Sequence, residues 1–460
     1  MVLPMNTITA PNTADEIAIW ISETATICNP VARQRAREAF IDTFACILAA
    51  TSEEVVQKVF EGLHRSGGGL CSVVGRTETL SAENAALVNG TAAHALDFDD
   101  NFLPAVTHAS AVLVPALLAL GEEVGASGDL LLDAYIVGLE IQAWLGHRMI
   151  PAHYAAGWHA TSTIGAIGAA AACVRLLTLD TETARSALSM ATSMACGSKI
   201  QFGSMTKPLH AGLAARAGIT ASRLAAAGVQ AHPDPFEGPW GFLSLHHAPA
   251  RPGNRRNASL AIIDHGLARK RWPCCASAHR TLDAIHQLMR ENDLTAEDIA
   301  RIETRIPDSN ARNLRFDSPT TVNEARFSMT YTAAALAVGG TLGLEDFTEE
   351  ALHRPDVRAF MPRITMLEAG PESDRGEGIW DMPAMTTIAT CDGRVLVREI
   401  LQPVGTIHAP LQEEDLEQKF RSCASRSLPP QQSEGLLAIL RGIEGHNVRQ
   451  IASYLRSLSV

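Results

Sequence analysis

Residues 165–177 read GAIGAAAACVRLL. Arg175 apart, a helix built from this run shows small and apolar side chains on every face. Such a helix is buried on several sides, which places it at the centre of a bundle. Neighbours are at hand in VARQRAREAFIDTFACILAA (31–50), SAENAALVNGTAAHALDF (81–98), DLLLDAYIVGLEIQAWLG (129–146) and TETARSALSMATSMACG (181–197). All four repeat apolar residues at helical spacing, and Thr13-Ala-Asp-Glu16 starts an earlier helix with a capping-box pattern. Residues 13–265 are thus expected to be helix after helix.

After about residue 268 the texture changes. AHRTLDAIHQLMREN (278–292) reads as a helix, and ARIETRIP (300–307) then alternates Ile302, Thr304 and Ile306 with charged residues, the period-2 signature of a strand. MTTIATCDGRVLVREI (385–400) is two β-rich runs joined by Asp392-Gly393, a strong hairpin signal. Helical stretches at 323–340 and 348–360 lie between, so a small antiparallel sheet covered by helices is expected. The tail beyond about 411 returns to helix. The expected fold is mainly α with an α+β insert. Residues 1–268 and 400–460 form a discontinuous all-helical bundle domain, and 269–399 form the smaller inserted α+β domain.

Composition narrows the function classes. The 460 residues, 46% hydrophobic, suffice for two cores, and aromatics at 5% favour close-packed helices over a β-sandwich. The net charge of −12 and the lack of a basic run interleaved with aromatics argue against nucleic acid and anionic membrane as partners. A local basic cleft for an anionic small molecule stays compatible with that exterior. Nine scattered cysteines, with Cys274 and Cys275 adjacent rather than in CxxC spacing, suit a reduced cytoplasmic protein and offer no zinc motif. The N-terminus lacks a basic region followed by an apolar one, and the stretches at 111–120 and 164–174 are too short to span a membrane.

Four polar islands interrupt the apolar background. HALDFDDNFLPAVTH (94–108) carries Asp97, Asp99 and Asp100; if the preceding helix continues, Asp97, Asp100, Asn101 and Pro104 share one face, with His108 at the mouth of the next helix. PAHYAAGWHATST (151–163) sets His153, Tyr154 and His159 before a helix start rich in hydroxyls, a ready carboxylate site. GSMTKPLH (203–210) joins Ser204, Thr206, Lys207 and His210, and ARKRWPCCASAHR (268–280) sets a basic cluster beside Cys274, Cys275 and His279. Histidine-bearing, glycine-punctuated islands in an Ala-rich bundle are what a cleft requires, and two of them carry cations suited to a multiply charged anion.

The stretches HALDFDDNFLPAVTHASAVLVPALLA, GWHATSTIGAIGAAAA, GSMTKPLHAGLAARAG, KRWPCCASAHRTLDAI and ARFSMTYTAAALA resemble, in order, successive motifs of the MmgE/PrpD family. That family includes dehydratases, decarboxylases and epimerases of small di- and tricarboxylates that use no metal or organic cofactor. The resemblance implies a homodimer, a helical domain made from both chain ends, and an active site between it and the insert. Carried over by position, it implies Asp97, His108, His159, Lys207 and His279 as pocket residues, with Tyr331 a further candidate. Asn101 stands where decarboxylase-like members often carry threonine, followed two positions on by Leu103.

The implied activity is a cofactor-independent lyase, a dehydratase or decarboxylase, with a dicarboxylate epimerase and an inactive polycarboxylate-binding protein as alternatives. Such reactions build negative charge on carboxylate oxygens, which cations and donors must stabilise while a positioned acid and base move the proton. His108 and His159 are assigned to proton transfer. Asp97 is assigned to pairing with a histidine or Lys207. Lys207, Ser204, Thr206 and the helix start after His159 are assigned to holding carboxylates, and Asn101, His279 and Tyr331 to contacting substrate. A competing reading takes DFDD as an aspartate-rich Mg²⁺ motif, for which no second metal motif is present.

Overall fold

The computed structural model describes residues 12–65, 68–249, 259–370 and 382–458. Residues 1–11, which carry most of the leader reading, lie outside the described residues. The helix Ala160–Leu176 sits at the centre of the helical part, with every residue but Arg175 buried. Gly128–Met149, Ala109–Val124, Thr206–Ala226 and Thr181–Thr192 pack around it. Asn12, not Thr13, caps the first helix, Thr13–Glu23: its side chain accepts from the Asp15 N–H, while the Thr13 hydroxyl donates to Glu237 Oε1.

One crossing positions the site. Ala82–Ala95 and Thr206–Ala226 meet at Gly90 and Gly212, where a Cβ on Gly212 would stand 2.2 Å from the Leu87 carbonyl oxygen. Only glycine lets two backbones approach this closely. The crossing brings the C-terminal end of the first helix, and the loop after it, against the N-terminal turn of the second.

Two hydrophobic cores are distinct. The larger runs from Ala14 to Leu267 and takes up Leu416, Phe420, Leu436, Leu440, Ile451 and Leu455 from the far end of the chain. The smaller runs from Trp272 to Ile388 and includes Phe202 from the helical part. In the smaller unit, His279–Glu291 and Met329–Gly339 cover a four-stranded sheet. Its order is Ile364–Glu368, Ile299–Ile306, Ala384–Thr390, Val395–Ile400.

The sheet is mixed rather than antiparallel, because Ile364–Glu368 pairs parallel to Ile299–Ile306. That strand follows two short helices, Glu349–Leu352 and Pro355–Phe360, whose chain crosses over the sheet before returning. The Asp392-Gly393 hairpin forms with Gly393 at positive φ. A two-stranded ribbon, Cys71–Ser72 with Thr79–Leu80, interrupts the otherwise helical first part. Among the described residues no helix is long and apolar enough to cross a membrane.

Candidate active site

The helix Ala82–Ala95 does not continue through the aspartates. Leu96 caps it, and Asp97 turns the chain with a φ of 50°, a left-handed conformation that aspartate tolerates better than most residues. The three carboxylates consequently share no face. Asp97 Oδ1 meets Lys207 Nζ at 2.9 Å and Lys270 Nζ at 2.8 Å. Asp99 accepts from His94 Nδ1 at 2.9 Å, with His108 Nδ1 3.0 Å from the same oxygen but off the hydrogen-bond direction. Asp100 binds the Ser110 hydroxyl, which contacts Tyr135. This dispersal removes the shared face that the Mg²⁺ reading needs.

His94, Asp97, Asp99 and His108 do bring ligand-type atoms within 4.8 Å of one another. Both imidazoles turn Nδ1 toward Asp99, however, and two ammoniums already neutralise Asp97. A dication seated there would face both lysines, so the donor set fits a proton-bearing network better than a metal.

Electrostatics follow from burial and pairing. Burial opposes the charge on Asp97, but Lys207 and Lys270 outweigh it and hold the carboxyl well below its usual range. Burial likewise opposes Lys270, yet Asp97 and Asp99 keep its ammonium above the ordinary value. Burial drives His108 down to about 3 despite Asp99, and holds His159 well below its normal value with help from Lys207 and His210. His159 Nδ1 lies 2.9 Å from His210 Nδ1, so one ring donates and the other accepts. Both candidate histidines are therefore neutral bases before a ligand arrives.

One pocket joins these groups. It is lined by Asp97, Asn101, His108, His159 and Lys207 from the helical part, with Tyr154 and Phe202, and by Cys275, Ser277, Asn310, Asn313 and Phe327 from the insert. Asn101 Nδ2 is buried there without a protein partner. Arg280 donates to Asn310 Oδ1 at 3.1 Å, which leaves the Asn310 amide N–H groups as donors. Asn313 Nδ2 donates to Ser277 Oγ at 3.1 Å, so the serine hydrogen is free to point elsewhere.

Other predicted residues stand apart. Ser204 Oγ donates to the Gln201 carbonyl and accepts from Thr206 N–H, closing the turn before the Lys207 helix; neither residue lines the pocket. His279 Nε2 contacts the Cys274 carbonyl inside the insert, and the Tyr331 hydroxyl donates to the Asp346 carbonyl in that unit's core. The hydroxyls after His159 are also committed to the protein. Thr161 Oγ1 accepts from His108 N–H, Ser162 donates to the Cys196 carbonyl, and Thr163 meets His153. Lys270, Asn310 and Asn313 are contributors that the sequence reading did not single out, and the basic run at 269–271 was the only signal for any of the three; Asp99 stood out in the aspartate-rich stretch but was given no role.

The MmgE/PrpD N-terminal domain matches residues 15–253 and the MmgE/PrpD C-terminal domain matches residues 272–444. The chain belongs to the MmgE/PrpD family. As an MmgE/PrpD protein it is 32% identical to the cis-aconitate decarboxylase of Homo sapiens, over 89% of this chain and 87% of that protein. The cis-aconitate decarboxylase of Mus musculus is 31% identical over 93% and 92%, and that of Aspergillus terreus 26% identical over 89% and 88%. The matched C-terminal domain extends to 444, so its last part covers helices that pack on the larger core.

The buried neutral imidazoles make a stability prediction. His94, His108, His153, His159, His210 and His279 are all lowered by burial, to about 3 for His108 and His279 and about 4 for His153 and His210. Below about 6.5 the unfolded chain binds protons that the folded chain refuses, so stability falls as pH drops through that value. Asp100, raised to about 7 by burial and the charge of Asp42, works the opposite way, as do Asp283 and Asp346, which burial also raises. But His147, His246, His265 and His286 are lowered too, and the imidazoles outnumber the carboxyls. The unfolding midpoint should stay level between about pH 7 and 8 and fall steadily from about 6.5 to 5. A midpoint constant down to pH 5 contradicts the neutral-histidine assignment.

Proposed function

We propose that this MmgE/PrpD lyase removes CO₂ from a small unsaturated tricarboxylate of the cis-aconitate type. The observation that carries the proposal is the meeting of Lys207, the amides of Asn101 and Asn310 and two imidazoles in a single pocket. The cis-aconitate decarboxylase names of the relatives point to the same substrate class.

In such a substrate the departing carboxylate sits one carbon from a carbon–carbon double bond. As its C–C bond breaks, the electron pair moves into a new double bond and the old one shifts its electrons toward the conjugated carboxylate. Lys207 and the amide donors stabilise the charge gathering on those oxygens. A histidine then delivers a proton to the carbon that was the far end of the original double bond. The products are CO₂ and a rearranged dicarboxylate, and the histidine regains its proton from water.

The imidazoles are neutral in the free site because burial, and then Lys207, disfavours their cations, with Lys270 adding to this at His108. A bound trianion reverses that balance, which raises their basicity and loads the proton when substrate is present. Asp99 accepts from His94 Nδ1 and lies 3.0 Å from His108 Nδ1, which leaves Nε2 as the working nitrogen of His108, 3.8 Å from Asp97 Oδ1. His210 plays the corresponding part for His159.

Asn101 favours a second reading. Its unpartnered Nδ2 would suit a hydroxyl on the substrate, as in dehydration of a hydroxytricarboxylate. Incubation with cis-aconitate, citrate and methylcitrate in D₂O, with mass spectrometry of the products, separates the two. Loss of CO₂ with one deuterium fixed in the product is the expected outcome. Loss of water without CO₂ assigns dehydration, and no conversion of any of the three refutes the proposal.

A further inference from the structure

A second cavity adjoins the pocket and has no part in the chemistry above. Lys199, Arg312 and Arg315 line it with Ser198, and it shares Phe202 and Asn313 with the pocket. Its walls come from both units: 157–202 from the helical part and 312–315 from the insert. Three cations meet where the two units face each other.

Their surroundings suit an anion. Lys199 Nζ lies 3.6 Å from the centre of the Tyr154 ring, and among the described residues it has no carboxylate within ion-pair distance. Burial, Arg312 and Arg315 press its ammonium down to about 8, the response of a cation facing cations. Arg315 Nη2 donates to the carbonyls of Ile200 and Phe202 at 3.0 and 2.6 Å, which holds its guanidinium across the gap between the units. The Tyr154 hydroxyl donates to Asn313 Oδ1 at 3.4 Å, and both residues line the pocket, so this pair stands between the two spaces.

The whole-molecule field makes such a site useful. With a net charge of −12 the protein repels a polycarboxylate at long range. Screening confines charge effects to about 8 Å at physiological salt, so a local positive mouth decides capture.

We propose that Lys199, Arg312 and Arg315 form an outer carboxylate-binding vestibule that captures the polyanionic substrate before it passes Tyr154 and Asn313 to reach Lys207. The proposal rests on the polycarboxylate reading of the pocket. The vestibule contributes attraction, not chemistry, so its loss is felt in kcat/KM rather than in kcat.

The test compares the wild-type enzyme with Lys199→Glu, Lys199→Arg and Arg312→Gln, each checked for an unchanged unfolding midpoint. Kinetics are measured at low and at physiological ionic strength. Lys199→Glu should lower kcat/KM by about tenfold or more with kcat within about twofold, and should flatten its salt dependence. Arg312→Gln should show a smaller loss of the same kind, and Lys199→Arg should restore the wild-type values. Unchanged kcat/KM and salt slope in Lys199→Glu, or a loss confined to kcat, overturns the vestibule. If the wild-type enzyme converts no tested acid, the functional reading fails by itself. Calorimetry with tricarballylate, a saturated and unreactive tricarboxylate, then decides the vestibule: weaker binding to Lys199→Glu supports it and equal binding refutes it.

Discussion

Lys207→Met folds normally and loses about 10²–10³-fold in turnover. The first half of that expectation comes from the shared carboxylate. With Lys207 gone, Asp97 Oδ1 keeps Lys270 at 2.8 Å, and Lys270 also donates to the Asp97 carbonyl at 2.7 Å, so the charge stays paired and the loop stays held. A methionine in its place meets the rings of Phe202 and Phe327, whose centres lie 5.5 and 5.1 Å from the present ammonium, and sulfur suits aromatic neighbours.

The second half comes from position. Among the described residues Lys207 is the one lysine that lines the pocket, so its charge is what meets the electrons released by the breaking bond. Lys270→Met makes the contrast, because it removes the anchor of the Asp97 carbonyl and is expected to cost stability as well as rate. Steady-state kinetics with a thermal melt on each variant checks both statements. Near-normal kcat in Lys207→Met would remove the lysine from the proposed machinery.

Asp97→Asn should destabilise the fold by about 3–5 kcal/mol, because it leaves two buried ammoniums without their shared counter-charge. Lys207 and Lys270 are each nearly inaccessible to water, so neither can recover the loss by hydration. Combining Asp97→Asn with Lys270→Met should cost less than the sum of the single changes, since the second removes a charge that the first has stranded.

The pH dependence carries the same sign. Asp97 is held below its usual range, so its contribution is complete above about 4 and disappears as pH falls further. The variant should lose that part of the acid response. Urea unfolding across pH measures both effects. A loss under about 1 kcal/mol at neutral pH would show that the pairing is dispensable.

Particular residues show how far the sequence could be read. Ala160–Leu176 was legible because a helix with no polar face has only one place to go. The Asp392-Gly393 hairpin was legible because a turn's chemistry is local. The strand Ile364–Glu368 was not, since four of its five residues are partly exposed or exposed on a sheet margin and its partner lies some sixty residues earlier. In the site, Asp97, Asn101, His108, His159 and Lys207 stood out as polar groups inside apolar runs, and they share a pocket. Tyr331, His279, Ser204 and Thr206 stood in equally suggestive stretches, yet the first three satisfy backbone groups nearby and Thr206 gives its N–H to the Ser204 hydroxyl. Sequence shows that a polar group needs a partner without showing which partner it finds.

By itself the amino-acid order determined the helical bundle, the change to α+β texture near residue 268 and the family, because periodicity, turn residues and motif order are written along the chain. The tertiary structure decided which carboxylate serves which cation. Asp97 pairs two lysines that are 110 and 173 residues away, while Asp99, two positions later, turns to histidines. That choice depends on a helix ending at Leu96 and on two glycines letting helices touch, and so on three-dimensional distance, which governs charge interactions and which spacing along a chain does not encode.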